Sequence, residues 1–163
     1  MGGKVDIYNL SAILYLADLK HLSKYGTLIL GETYIATKYS PVPFNIFCAY
    51  MQLKDDSSNR IVRYNLSEYI MVADTEVIAL SDYDGEYLSE NEVASFFETL
   101  QENKNISSEE LLKKVCNRAW QDAGITGEMS LNSIAESSGA DNEMLEYIKK
   151  NIENELHSFH RKK

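Results

Sequence analysis

Few side chains in this sequence have the types and spacing that catalysis or metal binding requires. Asp18 and His21 are three residues apart, so on a helix they share a face and can act as an acid–base pair. His157 and His160 have the same spacing and can share a metal, but their basic tail offers no carboxylate to complete a site. For His21 we favour a structural role at a helix end, where a histidine interacts with the helix dipole.

The two cysteines also lack the pattern of a reactive or metal-binding site. Cys48 lies in the apolar run NIFCAYMQL and Cys116 is far away in the chain, so no CxxC pair exists. We expect both to be reduced and buried. The sequence contains no GxSxG, P-loop, HExxH or GxGxxG motif. We therefore expect no enzyme, no metal and no cofactor.

Composition and charge indicate a protein-binding role. The 163 residues are 44% hydrophobic and 25% charged, which is typical of one soluble domain. Lysine and arginine number 16 against 25 acidic residues, a net charge of −9, which argues against nucleic acid and favours a basic partner. The chain has no run of 18 apolar residues and no pattern of a secretory signal at its start, so we expect no membrane contact and a cytoplasmic location.

The first 53 residues predict a long helix, an interruption and a second helix. Apolar residues on more than one face of 5–24 predict a helix buried on most sides, ended by Gly26. The runs TLIL and TYIAT are strand-like and flank Gly31-Glu32, which predicts a tight hairpin. The segment 40–43 holds both prolines of the chain and must be extended, and Pro43 suits the first turn of a helix over 43–53.

The remainder predicts short strands and then helices. RIVRY, EYIMVA and EVIAL are strand-like, with a turn at 73–75 between the last two. Ser89 with Glu92, and Ser107 or Ser108 with Glu110, are capping signals for two helices, of which the second is expected to run to Gly124. Further helices are predicted at 131–138 and from Asn142 to about Phe159. The predicted class is α+β and mostly α-helical, with a long buried N-terminal helix, small β-hairpin or sheet elements, and C-terminal helices.

The segment 131–150 offers an alternative function. Two short helices that meet at Gly139 resemble a helix-turn-helix, so a DNA-binding regulator is possible. A recognition helix needs basic and amide side chains at its start, whereas this one begins Asp141-Asn142-Glu143. Carboxylates there would repel phosphates, which makes nucleic acid the weaker hypothesis.

One continuous string resembles a known family. AILYLADLKHLSKYGTLILGETYIATKYSPVP resembles the Panacea domain, the SocA-like antitoxin family of bacteria and phages, in which a helix with the pattern "LlYyAD…hl..YG" precedes a hairpin "pltGd.YvA..yGPVP". A tryptophan at the start of a later helix completes the family pattern. The matching residues are Leu14, Tyr15, Ala17, Asp18, Tyr25, Gly26, Gly31, Tyr34, Ala36, Pro41, Val42, Pro43 and Trp120. The resemblance covers about 9–125, so we expect a Panacea domain at 1–125 and a helical extension, 126–163, packed on the same domain.

The sequence departs from the family pattern at two places. Ser40 stands where the family has a glycine, so a positive φ at that position would be strained. Cys116-Asn117 occupies the neighbourhood of a histidine that the family carries shortly before the tryptophan.

The resemblance implies an antitoxin that neutralises a partner toxin by direct protein–protein binding or by delivering it to a protease. The resemblance does not indicate which toxin is bound, because members of the family are paired with unrelated toxins. We expect partner contacts at Glu32, Tyr34, Lys38, Tyr39, Pro41 and Val42, with the first four exposed. We expect a structural role for Tyr15, Asp18, Gly26, Gly31, Ala36, Pro43 and Trp120.

Overall fold

The computed structural model describes residues 3–55, 65–82 and 85–160, the last six of these by their backbone alone. Its helices are α1 (Ile7–Tyr25), α2 (Phe44–Lys54), α3 (Glu90–Asn103), α4 (Ser108–Val115), α5 (Arg118–Ala123), α6 (Leu131–Ser137) and α7 (Asn142–His160). Its strands are β1 (Lys4–Asp6), β2 (Tyr34–Ala36), β3 (Pro41–Pro43), β4 (Ile70–Ala73), β5 (Glu76–Ala79) and β6 (Glu128–Met129). The predicted class, mostly α-helical α+β, is confirmed.

Helix α1 is the centre of the molecule, as predicted. The Asp6 carboxylate caps its start by accepting the amides of Tyr8 and Asn9 at 2.9 and 3.3 Å. Side chains on several sides of α1 are buried, and α3, α4, α6, α7, β1 and β3 all pack against it. A helix surrounded in this way must be apolar on most of its circumference, which is the pattern that its sequence shows.

Two small antiparallel sheets flank α1. One has the strand order β1-β5-β4 and covers a minor core built on Ile7, Tyr50 and Val77. The other has the order β3-β2-β6, with Tyr34 opposite Pro43 on one side and Met129 on the other. Strand β3 carries its two prolines at the edge of this sheet, where a missing amide costs no ladder hydrogen bond.

The hairpin lies later in the chain than the sequence predicts. TLIL forms no strand, and the turn is not at Gly31-Glu32; the paired strands are instead β2 and β3, joined by residues 37–40. The predicted hairpin is wrong because the amides of Ile29 and Leu30 bind a side chain of α1 rather than a neighbouring strand. The extended conformation predicted for 41–43 is confirmed as β3.

The helical half follows its capping signals closely. The Ser89–Glu92 and Ser107–Glu110 capping boxes are both formed, at the starts of α3 and α4. The helix predicted to run on to Gly124 is instead two helices, because the Asn117 side chain accepts the Trp120 amide and starts α5 as a new helix. The predicted strand RIVRY lies outside the described residues.

The C-terminal residues share the main core with α1. Ile134 of α6 and Ile148 of α7 belong to the same buried cluster as Tyr15 and Leu22, and Met129 of β6 joins it. Strand β6 also pairs with β2. The segment that follows α5 therefore contributes to the core that holds the hairpin.

Gly26 ends α1 in a left-handed conformation that favours glycine, and the Tyr147 side chain lies close to its α-carbon. Its φ is 76°, and its amide donates to the Leu22 carbonyl at 2.9 Å. A Cβ at this position would lie 2.5 Å from Cε1 of Tyr147 in α7. Gly31 also has a positive φ, 58°, but a Cβ added there would meet no atom within 4 Å.

Gly26→Ala is therefore expected to destabilise the fold more than Gly31→Ala. Both exchanges force a side chain into the left-handed region, at a cost of about 1 kcal/mol each. Only Gly26→Ala also requires Tyr147 to move. Urea unfolding of both variants measures the difference, and adding Tyr147→Ala to Gly26→Ala should reduce its loss to that of Gly31→Ala. Equal losses for the two single variants would show that the contact with α7 costs nothing.

Candidate functional site: the hairpin turn

Asp18, in the middle of α1, anchors the segment that leads into the hairpin. Its carboxylate is fully buried. Oδ1 accepts the amides of Ile29 and Leu30 at 2.7 and 3.1 Å, and Oδ2 accepts the Tyr34 hydroxyl at 2.8 Å. Three donors from the loop and from β2 thus converge on one side chain, which fixes where β2 begins.

This carboxyl is a structural acceptor and is poorly suited to act as a base. Burial raises the pKa of Asp18, although the hydrogen bonds from Tyr34, Leu30 and Ile29 oppose the rise. Burial and the adjacent carboxyl raise the pKa of Tyr34 well above its usual value. Both oxygens of Asp18 are occupied by donors of the chain itself, so a substrate would have to displace them.

His21 also has a structural partner. Its Nδ1 donates to the Thr27 carbonyl at 2.9 Å, and its ring lies 4.7 Å from that of Tyr25. His21 and Asp18 make no hydrogen bond to each other, so the acid–base pair that their spacing allows is not formed. The structure supports the alternative, a histidine that closes the last turn of α1.

Tyr15 links the Asp18 site to the junction between α4 and α5. Its ring packs edge-to-face on Tyr34 at 5.0 Å, and its hydroxyl accepts the Asn117 Nδ2 hydrogen at 3.1 Å. Burial raises the pKa of Tyr15 to about 12. Because Asn117 also starts α5, the same contact sets the position of Trp120, three residues later.

Trp120 and Thr37 fix the turn at 37–40, which we call the hairpin turn. The Trp120 indole Nε1 donates to the Thr37 carbonyl at 2.9 Å. The Thr37 hydroxyl donates to the Ser40 carbonyl at 2.7 Å and accepts the amides of Tyr39 and Ser40, each at 3.2 Å. The backbone on both sides of the exposed tip is therefore held by hydrogen bonds, and the tip has little freedom left to lose on binding.

Ser40 occupies the glycine position of the family without backbone strain. Its φ is not positive, so the departure from glycine costs nothing in backbone conformation. Its hydroxyl is buried and has no hydrogen-bond partner among the described residues. A buried hydroxyl without any partner is destabilising by about 1–3 kcal/mol.

The tip of the hairpin turn carries an exposed tyrosine in an aromatic setting. Tyr39 is 48% exposed, and its ring lies 4.8 Å from Tyr8 of α1. Lys38 places its Nζ 5.6 Å from the centre of the Tyr39 ring, within the range of a cation–π contact. Tyr8 also lies 6.3 Å from Phe47 of α2, and Phe44, one turn earlier, is exposed. We call Tyr8, Tyr39 and Phe47 the aromatic patch.

Residues 10–121 match the family model described as antitoxin SocA-like, Panacea domain. The match spans more than half of the chain and contains the Asp18 site, the hairpin and Trp120. The chain belongs to the SocA-like antitoxin family, Panacea domain. The resemblance found in the sequence is thereby confirmed. Comparisons with curated proteins and with solved structures gave no match.

Family membership supports an antitoxin role and implies a toxin as partner. It also favours a non-enzymatic role. Within the described residues, no helix is long and apolar enough to cross a membrane, and no three metal-binding side chains cluster. The His157 and His160 side chains lie outside the described residues. Both cysteines are free and half-buried, and burial raises the pKa of the Cys116 thiol.

In this Panacea domain, four of the six predicted contact residues are buried. The exposure predicted for Glu32 and Tyr34 is wrong: Tyr34 points inward to Asp18, and Glu32 accepts the Asn45 amide at 3.0 Å. Glu32 thereby caps α2, whose own N-cap residue, Pro43, has no side-chain acceptor. Pro41 and Val42 are buried because β3 packs against α1. The exposed candidates are Lys38 and Tyr39.

The residues expected to be structural are inside or at tight turns. Tyr15, Asp18, Gly26, Ala36 and Pro43 are buried, Trp120 is half-buried, and Gly31 is exposed with a positive φ. The sequence did not predict that Tyr8 and Phe47 lie near the hairpin turn. The abundance of tyrosine and phenylalanine in the first 50 residues was a signal, but which of them meet at the surface depends on how α1 and α2 pack.

The start of α7 gives the DNA-binding alternative no support. Asp141 accepts the Met144 amide at 2.8 Å and so serves as a helix cap. Asp141, Asn142 and Glu143 are exposed at the end of the helix that would face DNA. Acidic side chains at that position repel phosphates.

Asp18→Ala is expected to be strongly destabilising, by about 3 kcal/mol or more, because it leaves three donors without an acceptor. Tyr34→Phe removes one donor and should cost about 1 kcal/mol. Asp18→Asn, which keeps an acceptor oxygen for the Ile29 and Leu30 amides, should fall between the two. Urea unfolding gives the order; a loss for Asp18→Ala as small as that for Tyr34→Phe would mean that water replaces the carboxylate.

Stability is expected to fall at alkaline pH, and Tyr15 is one of the buried tyrosines that cause the fall. Its pKa is about 12 in the folded chain and 10.0 in the reference state, so the folded chain keeps the proton more tightly. The resulting contribution is full below pH 10 and is lost as the pH rises toward 12, with a slope of up to about 1.4 kcal/mol per pH unit. Urea unfolding between pH 9 and 12 should show a shallower decline for Tyr15→Phe. Tyr87→Phe, at a largely exposed tyrosine, controls for loss of a hydroxyl, and parallel declines for wild type and Tyr15→Phe would contradict the assignment.

Proposed function

We propose that this chain neutralises a partner toxin in the cytoplasm by direct binding, and that Lys38, Tyr39 and the aromatic patch form the contact. The observation that carries the proposal is a hairpin turn held rigidly from behind with an exposed tyrosine at its tip. Family membership supports the antitoxin role, and the exposure of the turn supports the choice of surface.

The chemistry of the patch is that of a binding hot spot. Tyrosine supplies a large contact area with few rotatable bonds and is enriched among residues that dominate binding energy. Tyr39 already rests against Tyr8 on one side and is held by the turn, so binding orders few additional bonds. Lys38 adds one cation that can meet a carboxylate or carbonyl of the toxin.

The rest of the surface determines how the toxin approaches. A net charge of −9 accelerates association with a basic protein, since opposite fields steer the encounter. We therefore propose a toxin that is basic overall and offers an acceptor at the point that meets Lys38. The division into a domain of 1–125 and an extension of 126–163 stays a prediction.

The test is rescue of growth from the toxin. The gene adjacent to this one is expressed from an inducible promoter with wild-type protein, Tyr39→Ala, Lys38→Glu or the control Tyr69→Ala. Tyr69 is as suitable a control as the chain offers, because it is an exposed tyrosine next to the other sheet. We expect wild type and Tyr69→Ala to restore growth. We expect Tyr39→Ala to restore it less well, because this exchange should weaken toxin binding about tenfold or more.

Two outcomes would contradict parts of the proposal. If the neighbouring protein stops growth and all four proteins rescue equally, the antitoxin role stands but the hairpin turn is not the contact. If wild type does not rescue, direct neutralisation of that protein is wrong. The amount of toxin in rescued cells separates the two routes: blocking leaves the toxin level unchanged, whereas delivery to a protease lowers it.

A further inference from the structure

Helix α3 packs against α1 with a polar face. Ser95, Thr99 and Asn103, at successive turns, are its buried residues. Each of the three bonds back to its own helix: Ser95 to the Asn91 carbonyl at 2.9 Å, Thr99 to the Ser95 carbonyl at 2.8 Å, and Asn103 to the Thr99 carbonyl at 2.7 Å. Small polar residues satisfied in this way allow two helices to approach closely, but they bury little apolar surface.

The larger apolar residues of α3 lie on another side of the helix, where Leu100 reaches the main core and Phe97 stays exposed. Val93, Phe96, Phe97 and Leu100 follow the i, i+3, i+4, i+7 pattern of a helix that faces a core. Together with Leu88 they line a surface groove of about 330 Å³, which we call the α3 groove. Phe97 is 57% exposed and Tyr87, just before the helix, is 86% exposed. Exposed apolar patches of this kind mark interaction sites more often than single exposed residues do.

The charges on α3 are acidic throughout. The helix carries four glutamates and no lysine or arginine. Glu98 and Glu102 lie on the side that faces α1, where Glu98 pairs with Lys24 at 2.8 Å and with Lys20 at 3.4 Å. Glu90 is exposed in the first turn, beside the start of the stripe. The lining of the groove is apolar. We call Glu90, three residues before Val93 in the chain, its acidic end.

We propose that the α3 groove binds an amphipathic helix of a partner protein, one with apolar residues at helical spacing and lysine or arginine beside them. A helix in a groove buries its apolar stripe, here against the exposed Phe97 and the half-buried side chains beside it. The cations of such a helix would meet Glu90 and the acidic field of the chain. A second copy of this chain fits poorly, because two acidic α3 helices would bring like charges together.

This surface is separate from the hairpin turn. The aromatic patch is built from α1, α2 and the hairpin turn, whereas the groove is built from α3 and Leu88. The proposal for the α3 groove therefore does not depend on the contact proposed for the toxin, and a separate measurement tests it.

The probe is a fluorescently labelled 18-residue helical peptide of leucine and lysine, with leucine at i, i+3, i+4 and i+7. Its first control replaces every lysine with glutamate, and its second keeps the composition but scrambles the order, so that the apolar stripe is lost. Binding to the full chain is measured by fluorescence anisotropy, and its location by hydrogen exchange. We expect the leucine–lysine peptide to bind and to protect residues 88–103, and both controls to bind at least about tenfold more weakly.

Matched variants locate the contact. Phe97→Ser should weaken peptide binding about tenfold or more, whereas Tyr69→Ser, at an aromatic residue with the same 57% exposure, should leave it unchanged. Glu90→Lys tests the acidic end without removing an apolar side chain, and it should weaken binding and reduce its dependence on salt. Tyr39→Ala should have no effect.

Three results would overturn the proposal. One is binding of the leucine–lysine peptide that neither Phe97→Ser nor Glu90→Lys changes. Another is protection that falls outside α3. The third is a dimer of the chain alone, seen by sedimentation, that Phe97→Ser dissociates, because a second copy would then be the occupant of the groove.

Discussion

The buried carboxylate of Asp18 is the constraint on which the rest of the hairpin depends. Placing a carboxyl group in the core is costly, and the three hydrogen bonds from Ile29, Leu30 and Tyr34 offset that cost. These donors come from two neighbouring segments, so satisfying Asp18 requires the loop and β2 to adopt one arrangement together. An alternative register of the hairpin would leave a buried acceptor or buried donors unpaired. The main effect of the Asp18 carboxylate is thus to select one conformation of the hairpin, and its net contribution to stability is secondary.

A series of packing contacts and hydrogen bonds connects Asp18 to the surface. Tyr34 lies on Tyr15, Tyr15 bonds to Asn117, and the helix that Asn117 starts places Trp120 behind the hairpin turn. Most of the residues that carry the family resemblance are buried. At the outer end, Tyr39 matches the tyrosine of the family pattern, whereas Lys38 falls at an unspecified position of it. A scaffold of this kind can keep its interior while an exposed residue such as Lys38 changes with the partner. Under the contact that we propose, function lies in a few surface side chains that a fixed interior positions.

The sequence correctly predicted the features that local interactions determine. Its predictions were wrong where residues distant in the chain determine the structure. Gly26 and both capping boxes were correct because each signal lies within a few residues of the feature it sets. TLIL was wrongly predicted as a strand because its amides bind Asp18, which is 11 and 12 residues away from them in the chain. Glu32 was wrongly predicted to be exposed because its partner, Asn45, belongs to the next helix. The aromatic patch depends on how α1 and α2 pack, which no local pattern records.

The hairpin turn and the α3 groove differ in their local charge, which the overall composition does not show. The net charge of −9 suggests one acidic protein with one basic partner, yet its distribution is uneven. The hairpin turn presents a lysine over a tyrosine, whereas α3 presents glutamates beside phenylalanines. Long-range attraction falls off within about 8 Å in physiological salt, so it brings a basic protein near without choosing where it docks. The docking site is chosen by the side chains that come into contact. We therefore expect the two surfaces to bind different partner segments. The segment at the hairpin turn would supply an acceptor for Lys38, and the segment at α3 would supply an apolar stripe flanked by cations.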